Sequence, residues 1–204
     1  MGISKFLTNL ALSLFLVVLS GCVLTKTPLG DAPLNISGHE NEWEGAWFDG
    51  EGAVRVRVED AAQGILQAGW VDEHDGNLVF MSIQLQIRKT ADRLYANFEL
   101  TGLNPPQANR DYLIPARIKL ENRHLEFWLM DDKVVGDLVS KGVLPGRVEK
   151  EVVIVDKLDE AQLMSGTGNS RKLFEWNHPH SFYKLTTRRP ATIQAPEVMA
   201  PKPP

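Results

Sequence analysis

Met81-Ser82-Ile83-Gln84-Leu85-Gln86-Ile87-Arg88, followed by Leu94-Tyr95-Ala96-Asn97-Phe98-Glu99-Leu100, is the stretch that decides the fold. Apolar and polar residues alternate with a period of two, which places them on opposite faces of an extended strand. Val54-Arg55-Val56-Arg57-Val58-Glu59 repeats the pattern upstream, and Ile65 to Val71, Tyr112 to Leu120 and His124 to Met130 continue the series. The breaks carry turn chemistry: Gln63-Gly64, Asp75-Gly76-Asn77, Asn104-Pro105-Pro106 and Glu121-Asn122-Arg123. Connections this short join antiparallel neighbours, because a parallel crossover needs about a dozen residues or more. A meander of six strands from Val54 to Met130 is expected.

Beyond Met130 the period changes. Asp131-Asp132 can cap a helix in which Val134, Val135, Leu138 and Val139 recur at helical spacing, with Gly142 as its stop. Val152 to Val155 is an apolar run of strand length. Asp156 or Asp159 can start a second short helix through Leu163, and Arg171 to Trp176 and Phe182 to Leu185 can return to the sheet. The expected fold is therefore mainly β: an antiparallel meander forming a strongly bent sheet or a small barrel, with one or two short helices over an open end. The outline is lipocalin-like in strand count alone.

Working outward, the first residues carry an address. Met1 to Lys5 has one positive charge and no acid, and Phe6 to Leu19 is almost wholly apolar, interrupted by Thr8, Asn9 and Ser13. This is the pattern of an export signal, and the apolar run is shorter than the roughly 20 residues a permanent helical span needs. Leu19-Ser20-Gly21-Cys22 follows. It resembles the lipobox of bacterial lipoproteins: a branched apolar residue, two small ones and a cysteine whose thiolate is nucleophilic enough to take a lipid. The resemblance implies that residues 1–21 are a signal peptide removed before Cys22, and that Cys22 carries a thioether-linked lipid holding the chain to a membrane. In Gram-negative members an Asp after the cysteine favours retention in the inner membrane. Val23 stands there in this chain, so the resemblance implies the outer membrane with the domain facing the periplasm, or in other bacteria the extracytoplasmic face of the plasma membrane.

The remainder divides by composition. Val23 to His39, with Pro28, Gly30, Pro33 and Gly38, reads as a flexible tether, so that residues 22–40 would be the lipidated N-terminus and its spacer. Residues 41–187 would form a single β-rich domain. Residues 188–204 hold five of the 12 prolines and read as a disordered Pro-rich tail, which could also dock a partner as polyproline helix.

Chemistry is sparse. A formal charge of −4 argues against a nucleic-acid surface, and the single cysteine excludes a disulfide framework. The common nucleophile, phosphate-loop and dinucleotide motifs are missing from the sequence, so no catalytic or cofactor-binding residue is assigned and no cofactor is expected. Two weaker signals remain. His178-Pro179-His180 spaces two imidazoles around a proline, and Asp72, Glu73 or His74 would have to complete a metal site, giving a metal-binding protein or metal-assisted hydrolase as the alternative reading. Asp72-Glu73-His74-Asp75 also sits where a hairpin turn is expected. The aromatic supply is richer: Trp43, Trp47, Phe48, Trp70, Phe80, Tyr95, Trp128, Phe174, Trp176, Phe182 and Tyr183. Trp128 is out of phase with Leu125, Phe127 and Leu129, so its strand is apolar on both faces. A non-catalytic role in binding or envelope assembly is expected, with the membrane as one partner and an apolar ligand, or an envelope protein docked on the sheet face or tail, as another.

Overall fold

The alternating segments become the staves of a closed barrel in the computed structural model, which describes residues 23–74, 76–91, 93–99, 111–149, 152–158, 173–175 and 177–186. In chain order its elements are β1 (Val23–Thr25), β2 (Ala32–Pro33), α1 (Glu40–Trp43), β3 (Gly45–Phe48), β4 (Ala53–Asp60), β5 (Ile65–His74), β6 (Asn77–Thr90), β7 (Arg93–Glu99), β8 (Leu113–Glu121), β9 (His124–Leu129), α2 (Asp132–Ser140), β10 (Gly146–Glu149), β11 (Val152–Val155) and β12 (His180–Lys184). Strands β3 to β9 run as an antiparallel meander, and β12 inserts between β9 and β3 to close eight strands on themselves. The six-strand meander expected from Val54 to Met130 is present as β4 to β9. Closure depends on β3 and β12, and β3 was not foreseen. Turn residues agree with the geometry: Asn122 and Arg123 both have positive φ (49° and 66°), as a two-residue hairpin loop matching the right-handed strand twist requires.

Alternation sorts the side chains. Val54, Val56 and Val58 of β4, Leu66 and Ala68 of β5, Ile83, Leu85 and Ile87 of β6, Ala96 and Phe98 of β7, Ile118 of β8 and Phe127 of β9 belong to one apolar cluster, the barrel interior. One end is sealed. Leu34 and Ile36 cross it, their amides donating to the carbonyls of Ile87 (2.9 Å) and Ala61 (2.8 Å), and α1 brings Trp43 into the same cluster. The crossing is tight at Gly64, where an added Cβ would stand 2.6 Å from the Leu34 carbonyl and 2.8 Å from that of Ile87. A side chain has no room there.

The partition formed by β7, β8 and β9 carries apolar side chains on its outer face as well, from β7 and β9. Tyr95 and Trp128 point outward into a second core made by Val23, Leu29, Met130, Val135, Val139, Leu144, Val153, Val155, Leu158, Leu173 and Phe174. This accounts for the phase of Trp128. Helix α2 starts where the sequence indicated: the Asp131 carboxylate accepts from the Val134 amide at 3.0 Å. Its position differs from expectation. It lies over this outer core, packed on β10 and β11, and not across a barrel end, because Val135 and Val139 find their apolar partners on the outer face of the wall.

The reading of residues 23–39 as a spacer is also corrected. Val23, Leu24 and Thr25 are 3%, 4% and 0% exposed, and β1 pairs in parallel with β11 and antiparallel with β8. Leu29 is held by a buried amide: Asn97 Oδ1 accepts from the Leu29 amide at 2.7 Å, and Asn97 Nδ2 donates to the Leu29 carbonyl at 3.0 Å. β2 then lies along β6. A strand-length apolar triplet next to Pro and Gly looked like linker because its partner, β11, is far away in sequence. The proposed signal peptide, Cys22, residues 188–204 and the second helix expected through Leu163 lie outside the described residues, and of the strand expected from Arg171 to Trp176 only residues 173–175 are described, Phe174 forming an isolated bridge with Met130.

Removing residues 23–40 strips Val23, Leu24, Leu29 and Ile36 from both cores. At about 1.5–3 kcal/mol for each fully buried aliphatic side chain, the loss is of the order of a whole domain's stability of roughly 5–15 kcal/mol. A chain beginning at Asn41 is expected to lose its cooperative thermal transition by circular dichroism, whereas one beginning at Val23 keeps it. An unchanged melt for the shorter chain would show that the N-terminal strands are dispensable.

Candidate functional site

The second barrel end is the candidate site. It gathers the β3–β4 turn, the β5–β6 hairpin, the start of β8, the end of β9 and the start of β12. Phe127 sits at its centre, with the Phe98 ring at 5.9 Å, Phe182 at 5.9 Å and the His180 imidazole stacked at 4.7 Å and 16°. All four side chains face inward, yet all four are half-buried, as are Trp70, Met81, Ile83 and Val54 around them. Toward the sealed end the inward side chains Leu66, Leu85, Ile87, Ala96 and Ile118 are buried. Val58, Leu94, Leu120 and Leu125 on that side are half-buried as well, so partly accessible apolar surface occurs at both ends, and it is aromatic at the end opposite the plug.

Two features frame this mouth. On one side the inner face runs on from β8 to β1 and β11, where Leu24, Ile114 and Ile154 pack with Phe98 and Leu129. The edge of β8 is shared between neighbours: β9 takes Ala116 to Glu121 and β1 takes Leu113, with Pro115, which has no N–H to offer, between them. On the other side β5 and β6 run past their neighbours. Among the described residues the last β4–β5 pair is Arg55–Gly69 and the last β6–β7 pair is Gln84–Glu99, so Trp70 to His74 and Asn77 to Ile83 form a two-stranded arm there. Val71, Leu78 and Phe80 on the arm are 61%, 77% and 71% exposed.

His180 is the titratable group set against the aromatic cluster. Burial pushes its imidazole below the usual histidine range, and the carboxylates of Glu175 and Asp49 oppose this more weakly. At neutral pH the ring is uncharged. The cluster thus presents aromatic faces and a neutral imidazole, a set suited to apolar or amphiphilic molecules, with no activated nucleophile or acid–base pair beside it among the described residues.

The other sequence candidates land elsewhere. His178 is exposed in the turn before β12, while His180 faces the barrel, so the proline does not bring the two imidazoles to one point. Asp72 and Glu73 lie on the arm, and the backbone of His74 pairs with Asn77 at its tip. Among the described residues no three His, Cys, Asp or Glu side chains are grouped to hold a metal ion. Trp43 and Trp47 pack at the sealed end, the Trp47 indole donating to the Trp43 carbonyl at 2.8 Å. Cys22, Asp75 and Trp176 lie outside the described residues.

A groove of about 760 Å³ also opens beside α1, lined by Glu44, Arg55, Glu121, Arg123 and Lys184 among others. Its charges alternate in sign and several are already engaged. Lys184, its amine pushed down by burial, lies 5.6 Å over the Trp47 ring and donates to the Asn41 carbonyl, and Arg123 donates to the Lys184 carbonyl at 3.3 Å. It is a weaker candidate than the aromatic mouth, which sequence reasoning missed because Phe98, Phe127, His180 and Phe182 meet only on barrel closure.

The His180 shift has a testable sign. Its folded value is lowered, so as pH falls from about 6.5 the unfolded chain binds a proton that the folded chain refuses, and stability drops through that window. Urea midpoints are expected to fall between about pH 7 and pH 5, and to fall less in His180→Phe. Equal pH dependence in the two proteins would contradict a desolvated His180.

The chain matches no known family, curated protein or solved structure in any of these three comparisons, so its own residues carry the functional reading.

Proposed function

We propose that this chain is a bacterial lipoprotein of the cell envelope, anchored by lipid on Cys22, whose barrel holds an apolar or amphiphilic ligand without transforming it. The observation that carries the binding half is the half-buried aromatic cluster of Phe98, Phe127, Phe182 and His180, gathered among the described residues at the barrel end opposite the one that Leu34, Ile36 and Trp43 cover. A small barrel filled for stability alone would bury these rings, since each aromatic side chain has 150–250 Å² to withdraw from water. Leaving them accessible costs stability, and a ligand that covers them recovers it. The anchoring half rests on Leu19-Ser20-Gly21-Cys22 behind its charged and apolar segments. With Val23 after the cysteine, the location is the periplasmic face of the outer membrane in a Gram-negative cell, or the outer face of the plasma membrane otherwise.

A second reading, docking of an envelope protein, is favoured by the arm, where Val71, Leu78 and Phe80 are exposed side by side.

Two measurements test the proposal. Metabolic labelling with a clickable fatty acid is expected to mark the wild-type protein and not Cys22→Ala; label that survives the substitution would end the anchoring reading. For the mouth, Val54 faces inward and is half-buried, so Val54→Trp adds bulk to the lining. Titration with a fluorescent long-chain fatty acid is expected to lose at least about tenfold in affinity, ~1.4 kcal/mol, while the melting transition persists. Equal uptake by the folded variant would place any binding elsewhere.

A further inference from the structure

The groove beside α1 carries a pairing asymmetry that its alternating charges conceal. Three carboxylates line it, and all three are engaged. Glu42 Oε1 meets His39 Nδ1 at 2.9 Å, Glu44 Oε1 accepts from the Val58 amide at 3.1 Å, and Glu121 Oε2 lies 2.6 Å from the Lys119 amine. Three cations line it too, and among the described residues none of them is ion-paired. The side chains of Arg123 and Lys184 donate only to backbone carbonyls, and that of Arg55 donates to no described residue. We propose that this groove binds an organic phosphate, with Arg55, Arg123 and Lys184 around the phosphate oxygens and Leu120 and Leu185 against the organic part.

Backbone pairing brings the three cations together. Arg55 stands opposite Ala46, the Ala46 carbonyl accepts from the Leu185 amide at 2.8 Å, and the Arg123 carbonyl accepts from the Lys184 amide at 2.9 Å. The Lys184 stem lies across Gly45, where an added Cβ would stand 2.9 Å from its Cε. Like charges held side by side repel. Burial pushes the Lys184 amine down, Arg123 pushes it further, and Glu44 and Glu42 oppose this more weakly. An anion seated between Arg123 and Lys184 offsets that repulsion. Arg55 and Arg123 are exposed, so a ligand reaches them from solvent. Phosphate suits these donors better than a carboxylate does. Two guanidinium forks and an ammonium offer more N–H groups than two oxygens can accept, whereas a phosphate monoester carries about −1.5 to −2 charge at neutral pH and three strong acceptor oxygens. The groove's volume of about 760 Å³ falls within the roughly 300–1,000 Å³ of small-molecule sites, which leaves room for an organic group beyond the phosphate. Leu185, 46% exposed, supplies apolar surface for that group to cover.

The phosphate can belong to a soluble ester or to a lipid headgroup, and two probes separate these sources. Isothermal titration of the full-length protein with sn-glycerol 3-phosphate is expected to show saturable uptake that glycerol does not reproduce. Arg55→Gln removes a side chain with no described partner to lose, so it is expected to weaken that uptake at least about tenfold with the melting transition unchanged. Arg123→Lys keeps the charge and loses the fork, and is expected to weaken uptake less than Arg123→Gln does. In the second arm, the full-length chain carrying Cys22→Ala, so that no acyl chain contributes, is floated with phosphatidylcholine vesicles with and without phosphatidic acid. Flotation that needs phosphatidic acid and is lost in Arg55→Gln, without uptake of the soluble ester, identifies a lipid headgroup as the source. The converse identifies a soluble ester. Binding of neither probe, or binding that Arg55→Gln and Arg123→Gln leave unchanged, overturns the proposal and leaves the aromatic mouth and its fatty-acid titration untouched.

Discussion

Two strands with apolar side chains on both faces, β7 and β9, hold this structure together. β7, β8 and β9 form a partition whose inner side chains, Ala96, Ile118 and Phe127, complete the barrel, while Tyr95 and Trp128 on the outer side begin a second core. An antiparallel sheet with one wet face needs nothing beyond itself. A sheet apolar on both faces must be covered twice, and the covering layer here is assembled from pieces remote in sequence: β1 before the barrel, then α2, β10 and β11 after most of it. Asn97 fastens the two. Its amide is 1% exposed and both its donor and its acceptor are used on Leu29, so an otherwise costly buried polar group fixes where the N-terminal segment crosses the wall.

The double coverage sets the asymmetry of the barrel. The same N-terminal segment that lays β1 on the outer layer continues through Leu29 and β2 to Leu34, Ile36 and Trp43, which seal one end. Thus one stretch of about twenty residues joins the outer core to the plug. At the opposite end β8 exchanges β9 for β1 as its neighbour, and the inner face opens onto Leu24 and Ile154 instead of curling shut. Sealed and open ends are two results of one chain path.

Much of this was legible in the sequence. The period-two runs place β4 to β9, and Asp131 before Val134 and Val135 announces α2, because these signals are local: pleat, turn and cap are decided within a few residues. Trp128 also carried real information, since an apolar residue out of phase requires cover on the second face. What covers it was not readable. β1 is three residues and β3 is four, too short to establish a period, and both are strands by virtue of partners brought up by closure. The same limit applies to the mouth. Phe98, Phe127 and His180 come from three strands, and nothing in the spacing of Asn177-His178-Pro179-His180 tells which imidazole will face the barrel until the register of β12 against β9 is known.

The entry of the chain and the aromatic end of the barrel are linked by the same geometry. Long tethers let a lipoprotein domain sample orientations, so the direction of a binding mouth would be averaged away. With β1 built into the core from Val23 onward, the chain entering the domain and the barrel wall pack together. On the proposed function, a ligand entering past Phe98 and Phe127 would pass the inward face of the arm. For an apolar molecule that route exacts the full cost of leaving a membrane or a carrier. An apolar lead-in such as Trp70 and Met81, the half-buried residues on the inward face of the arm, would reduce that cost by keeping part of the molecule covered during transfer.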